Sequence, residues 1–412
     1  MKKHFWLSMM ITTLTVFLFL TGCKKSETTQ LSLSSLMAGD IDLNGATAPN
    51  NVPVNPTITA VFSTDVDASS ATAANIMLMQ DYDNSMIDLN ISTSGNTVTI
   101  EPANTLGNGA LYKLSFGAGL MATNGTALTA IDRSFTTEGT FVPAGQIAYW
   151  NFEDNANDQV GNFSPESSGI TAITYTASRS TEAGKAATFD GATSLIEIPN
   201  GDQLSNTSDF SLCFWVNADS TKHGQFVMGL SAWFGFQFEI AGDYGSCKLA
   251  AQYDFGDGTS GSEDLWFAGD GQTRDNGGWQ GWTFCKDLSS SGGVQALLAS
   301  KWAQVACVYN SATKVGTMYI NGEEMKAQDF NLWPDGDPKQ GVVGLKFAGN
   351  PGNNAFVFGF IQDKNDPTVT DSWADYSNPD NNHFKGQLDD VRIFHKALTA
   401  TEVMLMYNSE KP

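Results

Sequence analysis

The feature that most restricts this chain is the shortness of its apolar runs. Brief stretches rich in β-branched and aromatic residues alternate with clusters of Gly, Asn, Asp, Ser and Thr. Before the last dozen residues, no folded stretch sustains the 3.6-residue period of an amphipathic helix. Residues 148–153 (AYWNFE) show the other period. Ala148, Trp150 and Phe152 fall on one face and Tyr149, Asn151 and Glu153 on the other, as in a half-buried strand. With 40 glycines to make turns, the pattern predicts an all-β protein, and 412 residues suggest two or three domains.

The first residues read as an address and not as fold. Lys2 and Lys3 precede an apolar stretch over residues 5–20, too short for a comfortable membrane span, and Leu20-Thr21-Gly22-Cys23 closes it with small residues. These four residues resemble the lipobox of bacterial lipoproteins. The resemblance implies a signal peptide over residues 1–22 and lipidation of Cys23. It also implies a membrane-anchored lipoprotein of the outer membrane or cell surface, with residues 23–42 as a polar tether. The net charge of −22, from 44 acidic against 22 basic residues, argues against nucleic acid or an anionic membrane surface as partner, since both need a basic patch.

Four further cysteines, Cys213, Cys247, Cys285 and Cys307, permit three pairings in an oxidising compartment. Cys213 and Cys307 sit in apolar runs, where a free cysteine behaves as a small hydrophobe. Cys247 and Cys285 flank a polar stretch and form the more plausible disulfide. No Cys-x-x-Cys pair is present, and His4, His223, His383 and His395 are scattered, so zinc chemistry is not expected.

Residues 43–139 carry strand signals at intervals that fit a small sandwich. Residues 55–63 (NPTITAVFS), 98–102 (VTIEP), 112–114 (YKL) and 134–137 (SFTT) together resemble a bacterial Ig-like domain of cell-envelope proteins. That resemblance implies a spacer without catalysis. The acid pairs Asp65/Asp67 and Asp81/Asp83 read as solvated turns.

Residues 146–410 read as one larger two-sheet sandwich. Residues 148–153, 189–191 (FDG), 195–198 (LIEI), 210–216 (FSLCFWV), 301–306 (KWAQVA), 318–322 (MYING) and 384–394 (FKGQLDDVRIF) resemble laminin-G-like jelly rolls of the concanavalin A-like fold. Residues 397–403 resemble the short helix behind the closing strand, with Thr399 as its cap and Glu402 three residues on. The resemblance also implies one structural calcium near the paired first and last strands. Glu153 and Asp389 are its candidate ligands, with Asp190 and Asp154 weaker ones.

The stretch over residues 241–300 departs from the family pattern. It reads as a long polar loop carrying Trp266, Trp279 and Trp282, which suit stacking on a sugar ring or pinning of the loop onto the sandwich. Trp150, Trp215 and Trp302 lie within strand motifs and are expected in the core. No Glu-x-Asp-x-x-Glu run or Gly-x-Ser-x-Gly elbow is present. The expected function is therefore a lipid-anchored carbohydrate-binding protein. An adhesion module for host or matrix protein, and a hydrolase or lyase with unrecognised acids, are the alternatives. Replacing Cys23→Ser is expected to move the protein from the membrane fraction to the soluble one; unchanged fractionation, with no acyl mass on the mature N-terminus, would sink the anchor.

Overall fold

The computed structural model describes residues 30–412, apart from His223 and residues 275–280. The expected signal peptide, Cys23 and the first seven residues of the expected tether lie outside the described residues.

In the first domain the two-residue alternation decides which side chains go inside. Along Leu111–Phe116, Tyr112, Leu114 and Phe116 are buried, and along Ile58–Phe62 so are Ile58, Ala60 and Phe62. Two antiparallel sheets pack these faces together. The first runs Ile41–Asp42, Leu33–Ala38, Ile58–Phe62, Thr97–Pro102, Leu89–Ser94; the second runs Met86–Ile87, Ile76–Gln80, Leu111–Phe116, Ile131–Thr136. The fold thus starts earlier than expected. Leu33–Ala38 pairs with Ile58–Phe62, and Leu31, Leu36 and Ala38 are buried, so the tether is shorter than residues 23–42.

The second domain is a sandwich of two larger antiparallel sheets. Its closing strand, Lys385–Phe394, sits inside the first sheet. It pairs with Lys185–Asp190 and the opening strand Gln146–Trp150 along one edge, and with Phe210–Ala218 along the other. Trp302–Asn310, Val315–Ile320, Glu323–Asp329 and Trp282–Cys285 continue that sheet. The second sheet runs Ile170–Thr171, Leu195–Ile198, Phe356–Phe358, Gln225–Leu230, Phe236–Ala241, Ser246–Asp254, Ser260–Phe267. Between the sheets lies an aromatic core that includes Trp150, Phe210, Phe214, Phe236, Phe238, Phe356 and Phe358. Trp150 and Trp215 are buried as expected, while Trp302 is half-buried.

Residues 241–300 are not a long loop. They supply the strands Ser246–Asp254, Ser260–Phe267 and Trp282–Cys285 and the short helix Gly293–Leu298. The long irregular stretch lies instead at residues 359–384, between Phe356–Phe358 and the closing strand.

The helix Ala400–Glu410 begins as expected: the Glu402 N–H donates to Thr399 Oγ1 at 3.2 Å and the Thr399 N–H donates to Glu402 Oε2 at 3.0 Å. Its Val403 and Met406 join one apolar cluster with the Ig-like core and with Cys213, Ala306, Val308, Tyr319 and Phe394 of the larger sheet. A shared core of this kind couples two domains that would otherwise move independently. Met406→Ala is therefore expected to cost about 2–5 kcal/mol. Calorimetry should show both domains shifting in one transition; two separate transitions, only one of them shifted, would contradict a shared core.

Candidate functional site

The outer faces of the two large sheets differ. That of the sheet containing the closing strand is covered by the C-terminal helix and the Ig-like domain. The outer face of the other is only partly covered. Over Leu195, Phe226 and Val357 lies residues 359–384, whose Phe360, Ile361, Val369 and Ala374 form a small second core. Gly229 permits this close approach, because a Cβ there would lie 2.2 Å from the Ile361 carbonyl oxygen.

Beyond that cover the strands Phe236–Ala241, Ser246–Asp254 and Ser260–Phe267 present polar side chains. Alternation turns Phe236, Phe238 and Ile240 inward and Gln237 and Glu239 outward; on the next strands it turns Lys248 and Asp264 outward. Register aligns Phe226, Glu239, Lys248 and Trp266 as directly paired neighbours across four strands. They form one straight row across the face, about 14 Å long at the usual strand spacing.

The two central members of the row are held to each other and to their neighbours. Lys248 Nζ lies 3.3 Å from Glu239 Oε1 and 2.8 Å from Asp264 Oδ2, and Gln237 Nε2 donates to Glu239 Oε2 at 2.8 Å. Burial pushes the Glu239 carboxyl above its ordinary range, with Lys248 offsetting only part of the rise. Lys248 is pushed up in turn: burial acts against its charge, but Glu239 and Asp264 outweigh it. Gln237 is 2 % exposed, and its Oε1 accepts no hydrogen bond within the protein.

Aromatic rings flank both ends. At the Phe226 end, Trp373 lies 6.1 Å from Phe226 and 5.7 Å from Trp233, which in turn stacks on Phe234 at 5.8 Å. Trp373 is 38 % exposed. Trp233 rides on a 3-10 turn, Ala232–Phe234, preceded by Ser231 and containing Ala232, both in the left-handed region at φ 53° and 50°. The covering stretch holds this strained turn: the Ala232 N–H donates to the Ile361 carbonyl at 2.8 Å, and the Ser231 hydroxyl donates to Asp366 Oδ2.

The candidates read from the sequence divide. Trp266 stands at the far end of the row, half-buried, its ring 5.5 Å from that of Trp282. Trp282 is only 4 % exposed and packs under Lys326, whose Nζ is 3.5 Å from the ring centroid. It is a packing residue, not a ligand platform. Trp279 lies outside the described residues. Trp233, Trp373, Gln237, Lys248 and Asp264 were not singled out, although the strict alternation of residues 236–240 (FQFEI) is the signal that places Gln237 and Glu239 on an outer face.

The expected disulfide is not formed. Cys247 and Cys285 are free thiols on opposite sheets; Cys247 Sγ lies 3.7 Å from Met318 Sδ, and Cys285 Sγ lies 3.4 Å from Asp270 Oδ1. Cys213 and Cys307 are also free and buried.

The calcium candidates are each engaged elsewhere. First and last strands do pair, but Asp389 Oδ2 accepts from Arg179 Nη1 at 2.6 Å and from Ser178, while Oδ1 accepts the Asp390 N–H at 2.8 Å. A guanidinium thus supplies the positive charge that a cation would have brought. Glu153 accepts the Lys185 N–H at 3.0 Å, and Asp154 pairs with Lys185 Nζ at 2.6 Å. Asp190 closes its own turn. Burial works against its charge, but hydrogen bonds from Thr193, Ala192 and Ser194 outweigh that and hold it well below the carboxylate range. Among the described residues no group of three or more His, Cys, Asp or Glu is arranged to hold a metal ion. The residues present do not fit a calcium site.

What they build is a buried charge cluster. Arg179 bridges Asp389 and Asp390, and Arg392 bridges Asp390 and Glu410 at 3.3 and 2.5 Å; Trp215 Nε1 also donates to Glu410 at 2.7 Å. Burial, with the neighbouring Asp390 charge, pushes Asp389 up to about 8. Asp390 goes the other way: burial opposes its charge, but Arg392 and Arg179 outweigh it. A carboxyl whose pKa is raised on folding stabilises the fold fully below its unfolded value, about 4, and loses that contribution as pH rises through the folded value. The melting temperature is therefore expected to fall between pH 5 and pH 8.5, and Asp389→Asn should flatten the fall. An equally steep fall in the variant would assign the effect to other groups.

The two domains are of recognisable classes, a small Ig-like sandwich and a jelly-roll sandwich. Residues 42–137 match the bacterial Ig-like domain family, and residues 190–365 match the concanavalin A-like lectin/glucanases superfamily through its laminin-G branch. The chain therefore carries a bacterial Ig-like domain followed by a concanavalin A-like domain. No curated protein sequence matches it. Similar solved structures are remote. The binding domain of Paraclostridial Mosquitocidal Protein 1 is 16% identical with a TM-score of 0.42, covering 64% of this chain and 52% of that one. Domain 4 of AbnA, a GH43 extracellular arabinanase from Geobacillus stearothermophilus in complex with arabinotriose, is 21% identical with a TM-score of 0.38, covering 64% and 98%. The receptor binding domain of botulinum neurotoxin mosaic serotype C/D is 15% identical with a TM-score of 0.38, covering 65% and 51%. The chain spans about half the length of the first and third of these.

Proposed function

We propose that this protein binds carbohydrate on the open outer face of its concanavalin A-like domain and carries that domain on a lipid anchor at Cys23. The observation that supports the binding reading is the single row Phe226–Glu239–Lys248–Trp266, with polar groups at its centre and aromatic rings at both ends. Sugars present hydroxyls and an apolar C–H face together, so they need such a pairing of hydrogen-bonding side chains with exposed rings. Gln237 Oε1 adds a buried acceptor that lacks a protein donor. The shared core with the Ig-like domain supports a spacer that holds the lectin face in a fixed orientation. Between Cys23 and the first buried residue, Leu31, the chain reaches roughly 25–30 Å at full extension, which keeps the Ig-like domain near the membrane.

The test is affinity electrophoresis and calorimetric titration of the Cys23→Ser protein against a panel of soluble polysaccharides. Stacking of bases on aromatic rings, at about 1–3 kcal/mol per ring, gives the scale by analogy. Trp373→Ala and Trp266→Ala are then each expected to weaken binding at least several-fold, with a smaller fall in melting temperature than Trp282→Ala gives. Trp282→Ala is the control, expected to lower the melting temperature because its ring is packed. No binding by the parent protein would defeat the carbohydrate reading and leave an adhesion role; equal binding by parent and both variants would move the site off this face.

A further inference from the structure

We infer that the ligand of this face is an uncharged polysaccharide strand lying across the β-strands from Trp373 to Trp266, and that chains bearing carboxylate or sulfate groups are rejected. The inference rests on the carbohydrate reading and adds the substrate class and the direction of the chain.

Direction follows from register. A row of directly paired residues runs perpendicular to the strands and spans about 14 Å from Phe226, itself buried but with the 38 % exposed Trp373 ring 6.1 Å away, to Trp266. Residues 359–384 cover the neighbouring strands as far as Phe226, so the chain starts from the rim of that cover, at Trp373, and runs toward Trp266.

Charge selects what can lie there. Lys248 is the basic side chain of the row, and both neighbouring carboxylates already hold it, Glu239 at 3.3 Å and Asp264 at 2.8 Å. Two acids against one base leave a surplus negative charge at the centre of the path. An anionic sugar would have to compete with both carboxylates for one ammonium while lying beside them, on a chain whose net charge is already −22. A neutral sugar faces no such repulsion. Its hydroxyls donate to the free lone pairs of Glu239 and Asp264 and to the vacant Gln237 Oε1. Because the two acids already spend their charge on Lys248, what they offer the ligand is hydrogen bonding to hydroxyls and not a counter-charge.

The Cys23→Ser protein would be titrated at one low ionic strength with neutral polymers (arabinan, galactomannan, laminarin) and anionic ones (polygalacturonate, alginate, chondroitin sulfate). At least one neutral polymer is expected to bind, with every anionic polymer at least tenfold weaker. Glu239→Gln combined with Asp264→Asn should shrink that ratio. Lys248→Gln, which removes the one positive charge, should widen it and serves if the double variant does not fold. An anionic polymer binding as tightly as the best neutral one, and losing affinity in Trp266→Ala and Trp373→Ala, overturns the charge selection while leaving the carbohydrate site intact. Neutral binding lost in neither tryptophan variant overturns the path. If no polymer of either kind binds, this inference falls together with the carbohydrate reading.

Discussion

The closing strand Lys385–Phe394 is the member on which the rest of the large domain depends. It pairs with the opening strand, with Lys185–Asp190 and with Phe210–Ala218, so three segments from the domain's beginning are joined into one sheet only when its end arrives. Asp389, Asp390 and Arg392 of this strand are almost fully buried, and their partners Arg179 and Glu410 come from a loop and from the last helix. A buried ion cluster of this kind is weak evidence for stability in itself, since desolvation offsets much of the Coulomb gain. Its effect is asymmetric. With every partner present the strand is fixed in register, and with one partner missing an uncompensated charge is left inside. Pairings this distant in sequence also carry a large loop-closure cost, so the domain belongs among slow-folding topologies.

That same cluster takes up Asp389, the closing-strand acid that the resemblance offered to calcium. A cation between first and last strands would neutralise acids that face each other. Arg179 performs the neutralisation with an atom of the chain, through one hydrogen bond to Asp389 and one to Asp390. The acids were visible in the sequence, but their partner was not. Arg179 lies in a polar run, and nothing local there marks it as one half of a contact that spans more than two hundred positions.

Much of the fold was readable because alternation survives in strands with one buried face. Leu111–Phe116 and the strand over Ile58–Phe62 are clear cases, and the capping pair Thr399 and Glu402 fixes the start of the last helix. The reading failed where strands carry polar residues on their outward positions. Ser246–Asp254 and Ser260–Phe267 hold Lys248, Gln252, Ser262 and Asp264 on that side, and so resembled a loop. Those are the positions that build the row across the face. Their polarity hid the strands and equips the candidate site. Leu33–Ala38 was missed for a different reason: Ser34 and Ser35 interrupt the apolar pattern, and only the neighbouring strand shows that Leu36 and Ala38 are buried. The free cysteines have a further lesson. Cys247 and Cys285 flank the same stretch in sequence, yet that stretch crosses from one sheet to the other and parts them.

The arrangement of domains then limits where a ligand can sit. A two-sheet sandwich has two outer faces, pointing in opposite directions. One of them here is closed by Val403, Met406 and the Ig-like core, which together make it interior. The other is half closed by residues 359–384, whose packing on Phe226 and Val357 also supports the turn that bears Trp233. The remaining half carries the polar row, beside the exposed ring of Trp373 and the half-buried rings of Trp233 and Trp266. The spacer and the binding face are therefore linked by construction. Because the Ig-like domain takes one side of the sandwich, the candidate site is directed to the opposite side, and the shared core keeps it there without a flexible hinge between them.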